Sequence, residues 1–191
     1  MPARYAVGER ADNRCASICA MGEVVLTFRS ELRASSDQVW SWITSVDGIS
    51  RELWPILRMT TPRGLRSLRD VRIEPGRRLF RSWVLLFGFL PVDYDDLTLV
   101  RIEPGRGFLE SSRMLSQRRW THERRLEPVA GGCRVTDRIA FEPRLALLGR
   151  AFLPVFRFFF RHRHRRLASV LGRGLPGGRP TDYKRERAVA E

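Results

Sequence analysis

The stretch WTHERRLEPVAGGCRVTDRIAFEP, residues 120–143, decides the fold because it reads as two alternating strands joined by a turn. In residues 119–127 the even positions are expected to face the core, and these are Trp120, His122, Arg124 and Leu126. In residues 132–141 the same test selects Cys133, Val135, Asp137, Ile139 and Phe141. The stretch therefore predicts an antiparallel hairpin with one face in the core.

The expected pairing of these two strands brings two ionisable side chains together on the inner face. If the loop closes with Glu127 opposite Gly132, then His122 faces Asp137. Directly opposite residues have Cβ atoms about 4.5–5.5 Å apart, which is close enough for a charge-assisted hydrogen bond.

A basic residue joins this pair if the preceding hairpin turns at Gln117-Arg118. That turn places Arg113 beside His122, and either choice of the next register brings Asp95 or Asp96 near Arg113. The sequence thus predicts a polar row of Arg113, His122 and Asp137 on an otherwise apolar sheet face.

Two interpretations of this polar row stay open, since buried polar groups are costly unless they are paired. In the functional one, Asp137 orients His122 as a general acid or base, and Arg113 holds a carboxylate, phosphate or enolate oxygen of a ligand. In the structural one, the row is a self-satisfied network.

The remaining elements follow from periodicity and turn residues. Ser35 and Gln38 form a capping-box pattern that begins a helix ending at Asp47-Gly48. A shorter helix is expected at 49–53, and a short strand follows through Ile56, Leu57 and Met59. Further strands are expected at 23–33, 78–88, 93–102 and 107–117.

The heptapeptide VRIEPGR occurs at 71–77 and again at 100–106. Pro-Gly fits the two central positions of a type II turn, because proline presets its φ and glycine accepts a positive φ. The second copy is expected to turn a hairpin, and the first to lead from a loop into a strand. Flanking residues do not match, which indicates reused turn chemistry rather than duplication.

A closing helix is expected over about 143–172, and Pro154 should kink or split it. Its first half is apolar on nearly all sides, as expected of a helix enclosed by a sheet. The arginines of RHRHRR, residues 161–166, are expected to face water.

The segments 120–143 and ELRASSDQVWSWITSVDGIS at 31–50 resemble the penultimate hairpin and the grip helix of the START-like or SRPBCC superfamily, which includes polyketide cyclase and Bet v 1-like proteins. The resemblance implies an α+β helix-grip fold, with about seven antiparallel strands wrapped around the C-terminal helix. It also implies a cavity for an apolar or amphipathic small molecule. The superfamily has no shared catalytic signature, so no site is carried over.

The favoured function is binding or transport of a hydrophobic small molecule, without cofactor or metal. The candidate ligand-binding residues are Arg113, Trp120, Trp83, Trp54, Tyr94 and Phe156. One alternative is a cyclase- or aromatase-type enzyme in which His122 and Asp137 are catalytic. The other is a basic adaptor that meets anionic membrane through Arg157 to Arg166, with nucleic acid the less favoured partner.

Composition agrees with a single basic domain. The 191 residues carry a net charge of +14, with Lys184 as the only lysine among 35 basic residues. We expect arms at 1–21 and 173–191 to be disordered around a folded 22–172. The three cysteines are expected to be reduced, and the absence of a signal-like or spanning run predicts a cytoplasmic protein.

Overall fold

The computed structural model of the chain describes residues 23–145, 149–172 and 186–187. Its helices are α1 (Ser36–Thr44), α2 (Val46–Leu53) and α3 (Gly149–Leu171), with a 3₁₀ turn at Leu68–Asp70. Its strands are β1 (Val24–Leu32), β2 (Leu57–Met59), β3 (Arg78–Leu86), β4 (Leu90–Glu103), β5 (Gly107–Met114), β6 (Gln117–Val129), β7 (Gly132–Pro143) and β8 (Glu186–Arg187).

All strands join one antiparallel sheet in the order β2-β3-β4-β5-β6-β7-β1-β8. The sheet curls around α3, which packs on β1 and α2. The predicted α+β helix-grip fold is confirmed. Glu186 and Arg187 pair with the start of β1, and the other residues of the two expected disordered arms lie outside the described residues.

Side-chain caps place α1 and α2 after β1. The Ser35 hydroxyl accepts a hydrogen bond from the Gln38 backbone at 3.3 Å, and the Gln38 side chain accepts one from the Ser35 backbone at 2.9 Å. Ser45 both ends α1 and caps α2, because its hydroxyl accepts from the Gly48 N–H at 3.0 Å. The first helix therefore ends earlier than Asp47-Gly48 and the second begins earlier than residue 49.

Both copies of the repeat form the same turn. In Glu103–Arg106 the Arg106 N–H donates to the Glu103 carbonyl at 2.9 Å, and in Glu74–Arg77 the corresponding bond is 3.0 Å. The central glycines, Gly105 and Gly76, have φ of +73° and +76°. The second copy joins β4 to β5 and the first precedes β3, as the turn chemistry predicts.

The pairing of β6 with β7 differs by two residues from the expected register. Val129 pairs with Gly132, so that Arg124 faces Asp137 and His122 faces Ile139. The expected pairing was wrong because β6 continues through Pro128 and the loop contains only two residues, with Gly131 at φ +82°.

The pairing of β5 with β6 differs by three residues, since the chain turns at Leu115-Ser116 rather than at Gln117-Arg118. His122 therefore faces Glu110, while Arg113 faces Asp96 on the outer side of the sheet and is exposed. The predicted place of Arg113 in the inner polar row was wrong. An odd shift moves every side chain of a strand to the opposite face.

Two apolar clusters lie between the sheet and the helices. The first joins the sheet to α3 and contains Leu26, Phe28, Met114, Trp120, Ile139, Phe141, Phe156 and Phe160. The second joins the sheet to α1 and the end of α3, and contains Leu32, Val39, Trp40, Ile43, Leu126, Cys133, Val135 and Leu167. The helix α3 continues through Pro154 without splitting, and β7 occupies the residues up to Pro143 where the helix was expected to begin.

We predict that Gly76→Ala and Gly105→Ala each lower the free energy of unfolding by about 1–2 kcal/mol, because a Cβ is disfavoured at positive φ. Urea denaturation measures the change. The control variants Gly76→Asn and Gly105→Asn should lose less, since asparagine tolerates this conformation. Alanine variants as stable as the unaltered chain would contradict the shared turn.

Candidate functional site

A cavity of about 430 Å³ lies between the sheet and α3. Its walls come from α1, α2, strands β2 to β6 and α3, and they are mostly aliphatic and aromatic. Val92 of β4 and Val155 of α3 line the cavity and are 45% and 40% exposed. The cavity therefore reaches the surface between the β3–β4 hairpin and the first half of α3.

The polar groups of the cavity wall are mainly acidic. Its described charged or ionisable lining residues are Asp93, Asp95, Glu110, His122 and Arg163. The Asp93 carboxylate is satisfied, because it accepts from the backbone N–H groups of Tyr94 and Leu115 and from the Ser116 hydroxyl.

Three predicted site residues line this cavity, and three aromatic residues that were predicted to bind the ligand do not. His122, Trp120 and Phe156 are in its wall. Ser82 and Val84 take the inward positions of β3, so Trp83 lies outside the cavity. Tyr94 also lies outside it, and the two rings contact each other edge to face with their centroids 6.0 Å apart. Trp54 is 52% exposed beside Gly88 of the β3–β4 hairpin. Trp83, Tyr94 and Trp54, which were predicted to bind the ligand, are therefore not part of the cavity wall.

Asp137 is the centre of a buried ion cluster next to the cavity. Arg124, which is 1% exposed, donates from Nε and Nη2 to the two Asp137 oxygens, at 2.6 Å each. His122 Nε2 lies 3.1 Å from Asp137 Oδ1, and His164 Nε2 lies 3.1 Å from Oδ2. The predicted contact of His122 with Asp137 thus occurs diagonally, with Arg124 directly opposite the carboxylate.

Glu52 of α2 extends this cluster to the helices. Arg124 Nη1 donates to Glu52 Oε2 at 3.1 Å, and Arg163 of α3 donates to the same oxygen at 3.0 Å. Both arginines are therefore held by carboxylates within the molecule. The cluster ties β6 and β7 to α2 and α3.

The sequence interpretation missed Glu52, Arg163 and His164. The expectation that the arginines of 161–166 face water was wrong for Arg163, and His164 is only 2% exposed and lies 2.7 Å from the Ser30 hydroxyl. A signal was present, because His164 continues the i, i+4 spacing of Phe156 and Phe160 on the buried face of α3.

Two members of the ion cluster, Asp137 and Arg124, are charged at neutral pH. Burial alone would raise the pKa of Asp137, but the charge and hydrogen bonds of Arg124, followed by those of His122, hold it well below the usual range. Burial alone would lower the pKa of Arg124, but the charges and hydrogen bonds of Asp137 and Glu52 raise it above its usual value.

His122 lies between two carboxylates. Its Nε2 faces Asp137 and its Nδ1 is 3.6 Å from Glu110 Oε2. Glu110 also accepts from Trp120 Nε1 at 3.1 Å and from the Ser112 hydroxyl at 2.8 Å. Burial alone would raise the pKa of Glu110, but the facing His122 lowers it. Neither ring nitrogen of His122 is directed at the cavity without a protein partner.

Asp95 is the exception among the buried acids. It is 4% exposed and lines the cavity, and its Oδ1 has no hydrogen-bond partner among the described residues. Burial, followed by the charge of Glu110, raises the pKa of Asp95 well above its usual range; a hydrogen bond with Glu110 adds to the rise and one with Ser112 opposes it.

Within residues 23–145, 149–172 and 186–187, no group of three or more His, Cys, Asp or Glu side chains is placed to hold a metal ion. In the same residues no helix is long and apolar enough to cross a membrane. Cys133 is a buried free thiol, and the other two cysteines lie outside the described residues.

Residues 30–171 match a protein family described as Domain of unknown function (DUF8410). The chain belongs to this family. No curated protein matches the chain significantly.

Solved structures similar to the chain share its fold. Protein CV1439 from Chromobacterium violaceum is 13% identical, with 78% of this chain and 97% of that chain covered and a TM-score of 0.60. A Rhodobacter sphaeroides protein is 18% identical, with coverage of 78% and 91% and a TM-score of 0.57. A START superfamily protein from Mycobacterium smegmatis is 8% identical, with coverage of 78% and 97% and a TM-score of 0.56. The fold of this DUF8410 protein is therefore the START-like helix-grip fold.

We predict that Arg124→Met destabilises the protein by about 3–5 kcal/mol, because it leaves the Asp137 and Glu52 carboxylates buried without their main partner. The matched control is Arg125→Met on the opposite face of β6, where the exposed arginine pairs with Glu123; its loss should be below about 1 kcal/mol. Urea denaturation of both variants gives the comparison. Equal losses would contradict the cluster's role.

Asp95→Asn should change the pH dependence of stability. A carboxyl group with a raised pKa in the folded state costs no stability below its unfolded pKa of about 3.9, and the cost grows as the pH rises towards the folded pKa. The variant should therefore gain stability relative to the unaltered chain between pH 4 and pH 8. Thermal unfolding across this range measures the difference.

Asp96→Asn is the control for this experiment, and it has the opposite sign. The hydrogen bond from Arg81 on the outer face lowers the pKa of Asp96. That contribution to stability is present above the unfolded pKa and is lost as the pH falls, so Asp96→Asn should lose stability at pH 8 relative to pH 4. A difference for Asp95→Asn that does not change with pH would contradict the assignment.

Proposed function

We propose that this protein binds and carries a hydrophobic small molecule in the cavity between the sheet and α3. The observation that carries the proposal is the apolar cavity of about 430 Å³, which falls within the roughly 300–1,000 Å³ of small-molecule sites. The fold gives further support, since START-like and Bet v 1-like proteins commonly bind hydrophobic ligands.

The surroundings of the opening support access for an apolar molecule. The tip of the β3–β4 hairpin exposes Phe87, Phe89 and Leu90, with Phe89 74% exposed. Trp54 lies against Gly88 of this hairpin and Phe158 is exposed on α3. Exposed apolar groups of this kind mark ligand grooves and contact surfaces more often than ordinary solvated surface.

The arrangement of His122 favours binding over catalysis. A general acid or base must reach the proton that it transfers. Both nitrogens of His122 face carboxylates, and both oxygens of Asp137 are held by Arg124. The cyclase-type alternative therefore has little support from the site.

The adaptor alternative through Arg157 to Arg166 also has less support than the sequence suggested. Arg163 is held by Glu52 inside the molecule, and His164 is buried. Arg166 donates to the Arg51 carbonyl at 3.2 Å. This leaves Arg161 and Arg165 as the exposed basic residues of the RHRHRR segment.

Val84→Trp tests the proposal because Val84 is buried in the cavity wall and a larger side chain would fill the cavity. We expect the affinity for the neutral fluorescent probe N-phenyl-1-naphthylamine to fall at least tenfold, as measured by fluorescence titration. The matched control is Val100→Trp, at a residue of β4 that is 40% exposed and outside the cavity wall, which should bind the probe unchanged. Equal binding by both variants would contradict the proposal.

A further inference from the structure

The cationic side chains near the cavity are already paired with carboxylates of the protein. Arg163 is the only guanidinium among the described cavity-lining residues, and Glu52 already accepts two hydrogen bonds from it. Arg124 is enclosed by Asp137 and Glu52 and is outside the cavity wall. Among the described lining residues, the single guanidinium is therefore already paired with a carboxylate.

The acids around the cavity are placed differently. Asp93, Asp95 and Glu110 all line it; Asp93 and Glu110 have protein donors, and Asp95 is hydrogen-bonded to Ser112 and Glu110. Asp95 Oδ1 is the buried oxygen in this wall with no hydrogen-bond partner among the described residues. A buried acceptor without a partner costs about 1–3 kcal/mol, which a donor on a ligand can recover.

We propose that Asp95 recognises the polar end of a neutral, hydroxyl-bearing amphiphile, whose hydroxyl donates a hydrogen bond to Oδ1 while its apolar part fills the cavity. This inference rests on the proposed function and names the class of molecule that the same cavity takes. A ligand carboxylate or phosphate is a poorer fit, because its charge would lie beside Asp93, Asp95 and Glu110, and the guanidinium among the described lining residues, Arg163, already pairs with Glu52.

A hydroxyl group fits either protonation state of Asp95. The ionised carboxylate only accepts hydrogen bonds, whereas the protonated acid both donates and accepts. A hydroxyl can do both, while an ether oxygen can only accept. The hydroxyl therefore keeps a hydrogen bond with Asp95 whether or not the acid carries its proton.

Competition against N-phenyl-1-naphthylamine tests the inference with three compounds of similar length: nonan-1-ol, nonanoate and methyl octyl ether. At pH 8 we expect nonan-1-ol to displace the probe from the full chain at a concentration at least tenfold lower than either of the others. The ether isolates the effect of the donated hydrogen bond, and nonanoate isolates the effect of charge.

Asp95→Leu should remove the preference for nonan-1-ol over the ether, because both compounds are compared against the same probe on the same variant. Asp96→Leu is the matched control on the outer face of β4, and it should keep the preference of the unaltered chain. The comparison of the three compounds on the unaltered chain needs no variant, so a poorly folded Asp95→Leu protein does not prevent the test.

The outcomes separate this inference from the proposed function. If the unaltered chain binds the probe but nonanoate or the ether competes as well as nonan-1-ol, Asp95 does not select the ligand and only this inference is overturned. If the unaltered chain does not bind the probe, the cavity is not a hydrophobic ligand site, and both proposals fail together.

Discussion

The paired hydrogen bonds from Arg124 to Asp137 are the interaction on which the rest of the structure depends. They cross from β6 to β7 at 2.6 Å inside the sheet's concave face, and Arg124 Nη1 then reaches Glu52 of α2. Arg163 reaches the same carboxylate from α3. One guanidinium thus connects the sheet to α2, and through Glu52 to α3. Burying such charges is costly, but removing one partner leaves the others uncompensated.

The ion cluster also decides what the cavity presents to a ligand. In the cluster, the guanidinium groups of Arg124 and Arg163 are paired with Asp137 and Glu52. The other charged side chains of the cavity wall are mainly the carboxyl groups of Asp93, Asp95 and Glu110. The second apolar cluster, around Trp40 and Leu167, is packed and lies outside the cavity wall except for Ile43. The first cluster instead shares Met114, Trp120, Phe156 and Phe160 with the cavity wall, and Arg124 and Asp137 lie outside that wall.

The fold was predictable because local signals agree with each other. The capping box at Ser35, the Pro-Gly turns and the alternation in 120–143 each specify one element, and their order specifies the helix-grip fold. Register was less predictable, because Pro128 does not end β6 and the β5–β6 turn lies at Leu115-Ser116.

The size of each register error explains which site residues were found. The two-residue shift of β6 against β7 keeps every side chain on its face, so His122 and Asp137 still meet diagonally. The three-residue shift of β5 against β6 changes the face, so Glu110 takes the inner position and Arg113 goes outside. Glu52 and His164 come from helices distant in sequence, and strand alternation gives no information about their side chains.

A crystal structure of the protein with nonan-1-ol tests most directly whether the ion cluster keeps its cations and leaves an acid facing the cavity. The predicted result is an alkyl chain between the sheet and α3, with its hydroxyl oxygen about 2.5–3.0 Å from Asp95 Oδ1 and Arg163 still bound to Glu52. A hydroxyl bound to Arg163 with the Glu52 contact broken, or an interior with no room for the alkyl chain, would contradict it.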